Sequence, residues 1–271
     1  MMIDFKGLVG GIVDGGDYAG REPAVEKEVI QHEILVSLSR SGLLDRVAFQ
    51  GGTALRLCYG APRLSEDLDF AAGSEFDGID VDAVTQVLED DLLDRYDVQV
   101  RVRRPKVLDG KSTEAVALRR WVIVVDTKTT RPDLPSQRMK LEVASVPYLT
   151  SEVMAIRAAF PQLPPSYGQT LVRCETLGEI VADKLVSFAN SDKYVRYRDA
   201  WDIPWALSRP EVDLDEVGRL FEHKLSDYRC ARDACEMAEV GIKRMAQVIE
   251  DKSFRFQLAR FLSQKARDEV L

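Results

Sequence analysis

Histidine is scarce in this sequence: 271 residues contain two, His32 and His223, far apart along the chain. That leaves little from which to build a histidine-ligated metal site or a Ser-His-Asp triad. The four cysteines, Cys58, Cys174, Cys230 and Cys235, show no paired CxxC spacing and read as reduced cytosolic thiols, some of them in the core. No apolar stretch approaches the roughly 20 residues that a membrane helix needs. The N-terminus lacks a basic region followed by an apolar run, so neither a signal peptide nor a membrane segment is expected, and the cytoplasm is the expected location. No internal repeat or low-complexity tract is present. Positive charge does not dominate either: the net charge of −8 argues against a generally basic nucleic-acid binder.

The charge that is present is unevenly placed. Residues 1–94 carry −12, whereas residues 95–140 carry +7. A basic middle segment in an acidic chain suits a local patch for a polyanion, the alternative being solvated strand faces and loops. With 45% hydrophobic and 30% charged residues, the chain has enough apolar material for a substantial core.

Residues 23–40 place Val25, Val29, Ile30, Ile34 and Leu38 at helical spacing behind Pro23. Residues 47–49 read as a short buried strand ended by Gly51-Gly52, residues 53–59 as a helix stopped by Gly60 and Pro62, and residues 68–71 as a second strand. A helix over 81–93 and strands over 98–102, 115–125 and 139–146 follow. The proline-rich segment 147–170 reads as a connector holding a short helix near 152–158. Thr176-Leu177-Gly178-Glu179 has capping-box spacing and opens a helix to about Asn190. Further helices are expected near 198–208, 213–224, 227–249 and 253–268. The expectation is an α+β head over residues 1–150 and a helical domain over 151–271.

The stretch Phe49 to Phe70, FQGGTALRLCYGAPRLSEDLDF, concentrates the chemistry. A Gly-Gly-Thr turn between strand and helix presents backbone N–H groups to a phosphate. Asp67 and Asp69, two apart, project from one face of a strand and can share a metal ion. Mg²⁺ favours carboxylate oxygens and keeps substrate phosphates in its shell. The two halves of the stretch therefore serve one need, holding phosphates and holding the metal that polarises them.

Gly52-Thr53, then 13 residues, then Asp-Leu-Asp-Phe resembles the signature of the polymerase-β-type nucleotidyltransferase superfamily. The third carboxylate usual there corresponds to Glu142, with Asp126 as the competing candidate. Lys140 shares a face with Glu142 and suits either a phosphate contact or a surface salt bridge. More narrowly, Gly51, Gly52, Thr53, Tyr59, Gly60, Arg63, Ser65, Asp67 and Asp69 resemble the first motif of the AbiEii/AbiGii family. These are toxins of bacterial toxin–antitoxin systems and include the mycobacterial MenT toxins. Lys140-Leu141-Glu142, Asp183-Lys184-Leu185 and the run Arg196 to Asp202 match that family's later motifs, with Arg198 where the family often has lysine. The motifs cover about residues 45–205.

The resemblance implies a polymerase-β-like mixed sheet followed by a helical bundle. It also implies an enzyme that moves an NMP from an NTP to an acceptor and releases pyrophosphate. Asp67, Asp69 and Glu142 would hold Mg²⁺. Gly51, Gly52 and Thr53 would bind the triphosphate, and Arg63, Lys140 and Arg196 are suited to phosphates. Lys184 would stabilise the leaving pyrophosphate, and Asp199 would orient Lys184 or assist the attacking hydroxyl. Asp202, the last residue of the final motif, would either belong to the site or pair within its helix. Ser65, beside the metal, is close enough to a phosphate to be modified itself. The acceptor favoured by the resemblance is the tRNA 3′ end, with Arg101, Arg103, Arg104 and Lys106 on the RNA backbone. A separate antitoxin protein would be the partner. A protein or small-molecule acceptor and a non-catalytic nucleotide-binding module are the rival readings.

Overall fold

One seven-stranded mixed sheet organises the chain in the computed structural model, which describes residues 3–96, 98–105, 116–127, 136–192 and 194–270. The strands are β1 (Ala48–Gln50), β2 (Leu68–Ala71), β3 (Gln99–Arg103), β4 (Leu118–Asp126), β5 (Gln137–Ala144), β6 (Ser151–Ala155) and β7 (Leu171–Glu175). Their order across the sheet is β3-β4-β5-β2-β1-β7-β6, with β2–β5 and β1–β7 parallel and the remaining pairs antiparallel.

Alternation along the strands sorts the two faces. Trp121, Ile123 and Val125 of β4 and Met139, Leu141 and Val143 of β5 are buried, while the residues between them are exposed or half-exposed. The buried face carries Phe49 and Phe70, stacked at 5.1 Å across β1 and β2. It packs against α2 (Glu22–Arg40), whose Val25, Val29, Ile30, Ile34, Leu35 and Leu38 are all buried. His32 also lies in this core, both ring nitrogens facing backbone carbonyls, so it is a packing residue. Helices α1 (Phe5–Val13), α3 (Gly51–Leu57) and α4 (Val81–Tyr96) complete the first half.

The sheet does not stop at residue 150. Ser151–Ala155, expected as part of a short helix, is instead strand β6, paired antiparallel to β7, and β7 joins the sheet beside β1. Helices take over only at α5 (Leu177–Ala189), followed by α6 (Tyr197–Leu207), α7 (Leu214–Asp227), α8 (Ala234–Glu250), α9 (Lys252–Ala259) and α10 (Gln264–Val270). The single helix expected over 227–249 begins at Ala234, because the chain turns at Arg229 with φ of 51° and restarts on the Asp233 cap. The Thr176 hydroxyl caps α5 by accepting from the Glu179 N–H at 3.3 Å. The Glu179 carboxylate does not complete the reciprocal box; it takes the backbone N–H groups of Leu149 and Thr150 instead.

The C-terminal segment returns to the first half. The Leu64 N–H donates to the Phe261 carbonyl at 2.8 Å, Arg63 bridges to Leu262, and the Gln264 N–H reaches the Asp17 carbonyl at 2.8 Å. No helix among the described residues is long and apolar enough to cross a membrane.

Candidate active site

At the end of β1 the chain enters α3 through Gly51, whose φ of +80° lies in the left-handed region that favours glycine. The next strand brings Asp69 against this turn: a Cβ on Gly51 would lie 2.6 Å from the Asp69 carboxylate. A Cβ on Gly52 would lie 2.6 Å from the Arg63 guanidinium and 2.9 Å from the Ser65 hydroxyl. The glycine pair is thus what allows Asp69, Arg63 and Ser65 to crowd around one turn.

Strand register assembles the carboxylates. Asp69 stands directly opposite Glu142 in the parallel β2–β5 pair, and Asp67 lies one residue before β2. One Asp67 oxygen accepts from the Lys140 N–H at 3.1 Å, and the other lies 3.5 Å from the Lys140 ammonium. Glu142 is paired with Arg120 across β4. Asp69 keeps an edge on the cleft, yet desolvation first, then Glu142 and Asp67, push its carboxyl up to about 7. A carboxyl raised that far reflects burial first and like-charged neighbours second.

The opposing wall comes from α5 and α6. Lys184 is 8% exposed and donates to Asp199 at 2.8 Å, with Asp202 also at 2.8 Å. Burial disfavours its ammonium, but Asp199 and Asp202 outweigh that and hold its pKa above the ordinary lysine value. Lys184 is therefore a fixed cation. The second Asp199 oxygen takes Arg196 at 2.9 Å, so both of its oxygens are engaged in orienting cations. Asp202 takes Arg63 in a two-pronged pair at 2.7 and 2.6 Å. Despite desolvation, Arg63 and Lys184 hold the Asp202 carboxyl down to about 2.

A cleft of about 690 Å³ lies between the two walls. Of the residues expected from sequence, Gly51, Gly52, Arg63, Ser65, Asp67, Asp69, Lys140, Glu142, Lys184, Arg196 and Asp199 all line it. Thr53 does not. It is buried, and its hydroxyl donates to the Asp67 carbonyl, so it builds the turn rather than facing the cleft. Arg63, expected at a phosphate, has its guanidinium taken up by Asp202 and the Leu64 carbonyl. Asp202, for which pairing within α6 is one of two readings, reaches across to Arg63 and Lys184. Asp126 ends β4 well beyond Arg120, the partner of Glu142, and is not in the cleft wall.

Sequence reasoning missed two features. Glu66 lines the cleft and ties Lys27 at 2.7 Å to Arg198 at 3.1 Å, joining α2 to α6. Where Asp183 meets the cleft, Glu175, Glu179 and Asp183 form an acidic group whose nearest oxygens lie within 4.8 Å of one another. That group already holds a cation: the fully buried Lys224 ammonium is 2.7 Å from Glu179, 3.1 Å from Asp183 and 3.9 Å from Glu175. The i, i+4 spacing of Glu179 and Asp183 was the available signal; the lysine partner, 41 residues after Asp183, left none.

The open sheet face leads to the carboxylates in rows fixed by register. Arg101 and Arg138 flank Val124, and Arg103 and Lys140 flank Val122. The next row holds Arg120 and Glu142, with Asp69 beyond. All five basic residues are exposed, and rows two residues apart are roughly 7 Å apart. Arg104 pairs with Asp82, and Lys106 lies outside the described residues.

The profile of the family described as nucleotidyl transferase AbiEii toxin, type IV TA system, matches residues 33–271. The chain belongs to the AbiEii family. It is accordingly a nucleotidyltransferase and the toxin of a toxin–antitoxin pair, with an NTP as substrate and an antitoxin as partner. Among solved structures, JHP933 from Helicobacter pylori is similar at 20% identity and a TM-score of 0.49, over 86% of this chain and 94% of that one. An antigenic nucleotidyltransferase-like protein from Paracoccidioides brasiliensis is similar at 15% identity and a TM-score of 0.40, over 79% and 92%. No curated protein matches the sequence at a significant level.

Within this AbiEii chain the glycine turn gives a direct test. Gly51→Ala forces a β-carbon into the Asp69 carboxylate and a left-handed backbone onto alanine, at a cost of about 1–2 kcal/mol. Nucleotide transfer is expected to fall far more than the urea midpoint does. A variant that loses stability but transfers at the parental rate would show that Asp69 need not hold its position.

Proposed function

We propose that the chain transfers an NMP from an NTP to the 3′ end of tRNA in a Mg²⁺-dependent reaction in the cytoplasm, blocking translation. The observation that carries this reading is the convergence of Asp67, Asp69 and Glu142 across the cleft from a lysine fixed by two aspartates.

The residues fit a divalent cation. Asp69 and Glu142 stand opposite each other across β2 and β5, Asp67 lies two residues before Asp69, and all three line the cleft. Burial first, then these like-charged neighbours, lifts the Asp69 carboxyl to about 7. Asp67, Asp69 and Glu142 would hold the ion. A bound Mg²⁺ supplies neutralisation of the phosphate charge and acidifies the attacking hydroxyl.

The chain's own groups do the rest. Gly51 and Gly52 let the substrate phosphates approach the backbone. Lys184, kept charged by Asp199 and Asp202, faces the charge that develops on the departing pyrophosphate. In the transfer, the acceptor hydroxyl oxygen bonds to the α-phosphorus and the bond to the pyrophosphate oxygen breaks. The hydroxyl proton passes to the carboxylate cluster, where Glu142 faces the open sheet. The rows of arginine and lysine on that sheet suit a polyanionic acceptor arriving from β3, which favours RNA over a small molecule.

Purified protein incubated with total tRNA, Mg²⁺ and each labelled NTP tests the reading beside Asp67→Ala. Label at the tRNA 3′ end with the parent alone is the expected result. Label on the protein would redirect attention to Ser65, and full transfer by Asp67→Ala would refute the metal role.

A further inference from the structure

Nine large apolar side chains are exposed among the described residues, and two of them, the adjacent Tyr194 and Val195, line the cleft. Tyr194 is 63% exposed and Val195 47%. Both precede α6, on the wall that also carries Lys184, Arg196, Arg198 and Asp199. An exposed aromatic ring beside so many charges invites a ligand with a flat apolar face and a charged tail.

The ring is held in place. The Ser191 hydroxyl donates to the Tyr194 carbonyl at 2.8 Å. The Arg196 guanidinium lies over the ring at 5.6 Å from its centre. Arg196 is itself fixed by Asp199, the residue that holds Lys184. Ring and catalytic-wall lysine are therefore positioned by one chain of contacts. The Arg196 Nε is buried and has no hydrogen-bond partner in the protein.

The geometry points to Tyr194 as a stacking platform for a nucleobase, with Arg196 beside it. The inference rests on the nucleotide-transfer reading and names the subsite that reading leaves open. Every base has a π-face, so a platform of this kind holds a base without selecting among bases. The reaction brings two nucleobases to the cleft, that of the incoming NTP and the terminal base of the acceptor strand, and the test separates them.

The test measures binding of non-hydrolysable NTP analogues, of inorganic tripolyphosphate and of an unstructured RNA oligonucleotide, with Mg²⁺, to the full chain. Parent, Tyr194→Ala and Tyr194→Phe are compared. Loss of a stacked base costs about tenfold or more in affinity. A tenfold weaker NTP analogue in Tyr194→Ala, with tripolyphosphate unchanged and Tyr194→Phe restoring the affinity, assigns the ring to the NTP base. Unchanged NTP affinity with tenfold weaker RNA binding assigns it to the acceptor base. Unchanged affinity for both, or equal weakening of tripolyphosphate, overturns the platform. Because the readout is binding, a parent that binds NTP but transfers nothing would refute the transfer reading alone. A parent that binds neither NTP nor RNA would refute both.

Discussion

Asp69→Asn is expected to lower nucleotide transfer by roughly a thousandfold or more. Charge stabilisation by a bound metal is worth several kcal/mol, and each ~1.4 kcal/mol is a factor of ten in rate. The fold should survive. In the metal-free protein the Asp69 carboxyl is held near 7, above its ordinary value of 3.8, by desolvation and by Glu142 and Asp67. Between those values the folded state keeps a proton that the unfolded chain releases, so the group's contribution to stability is full at low pH and is lost as pH rises through about 7. The amide removes that dependence. In EDTA, the midpoint of Asp69→Asn should therefore hold better than the parent's from pH 5 to pH 8, while its transfer with Mg²⁺ is nearly gone. A variant that keeps a tenth of the parental rate would show that Asp69 is no metal ligand.

Lys224→Met should be the most destabilising single substitution behind the cleft, by about 3–5 kcal/mol, the scale for stripping the counter-ion from buried charge. Lys224 is fully buried among Glu175, Glu179 and Asp183 and also donates to the Pro147 carbonyl at 2.9 Å. Burial opposes its charge, but the three carboxylates outweigh burial and raise its pKa. Even with Lys224 present, Glu175 is held well above the ordinary carboxyl range, by burial first and Asp183 next. Asp183 is raised as well, chiefly by burial. These two groups therefore contribute most stability below the ordinary carboxyl range, and that contribution declines as pH climbs through their raised values. Without the ammonium the decline should be steeper, so urea midpoints of Lys224→Met and parent should diverge from pH 5 to pH 8. Parallel curves would mean that the cluster is neutralised in some other way.

Local pattern carried much of the architecture. The glycine turn, β2, α2 and α5 follow from periodicity, glycine placement and a threonine cap, all of which act within a few residues. The β6–β7 hairpin was not legible in the same way. Ser-Glu-Val-Met-Ala contains good helix formers and lies among prolines, but pairing with β7, and of β7 with β1, overrides that local preference. Helix α1 was hidden by three glycines in FKGLVGGIV; burial of Phe5, Val9 and Ile12 holds it in place.

At the site, residue types were legible and partners were not. Asp67 and Asp69 were legible from their spacing on a strand behind a glycine turn, whereas Glu142 and Lys184 were singled out by the family resemblance. That Arg63 would face Asp202, 139 residues away, is a fact of tertiary packing. The same holds for Thr53, whose hydroxyl turned inward to the Asp67 carbonyl.

The return of the C-terminal segment has a consequence for synthesis. The Phe261 and Leu262 backbone that lies against Arg63 and Leu64 leaves the ribosome long after them. At about 5–20 residues per second, tens of seconds separate the emergence of the Asp67–Asp69 strand from that of the strap that closes over its approach. Lys184, Asp199 and Asp202 arrive between the two. A nascent chain therefore carries its carboxylates well before the opposing wall exists.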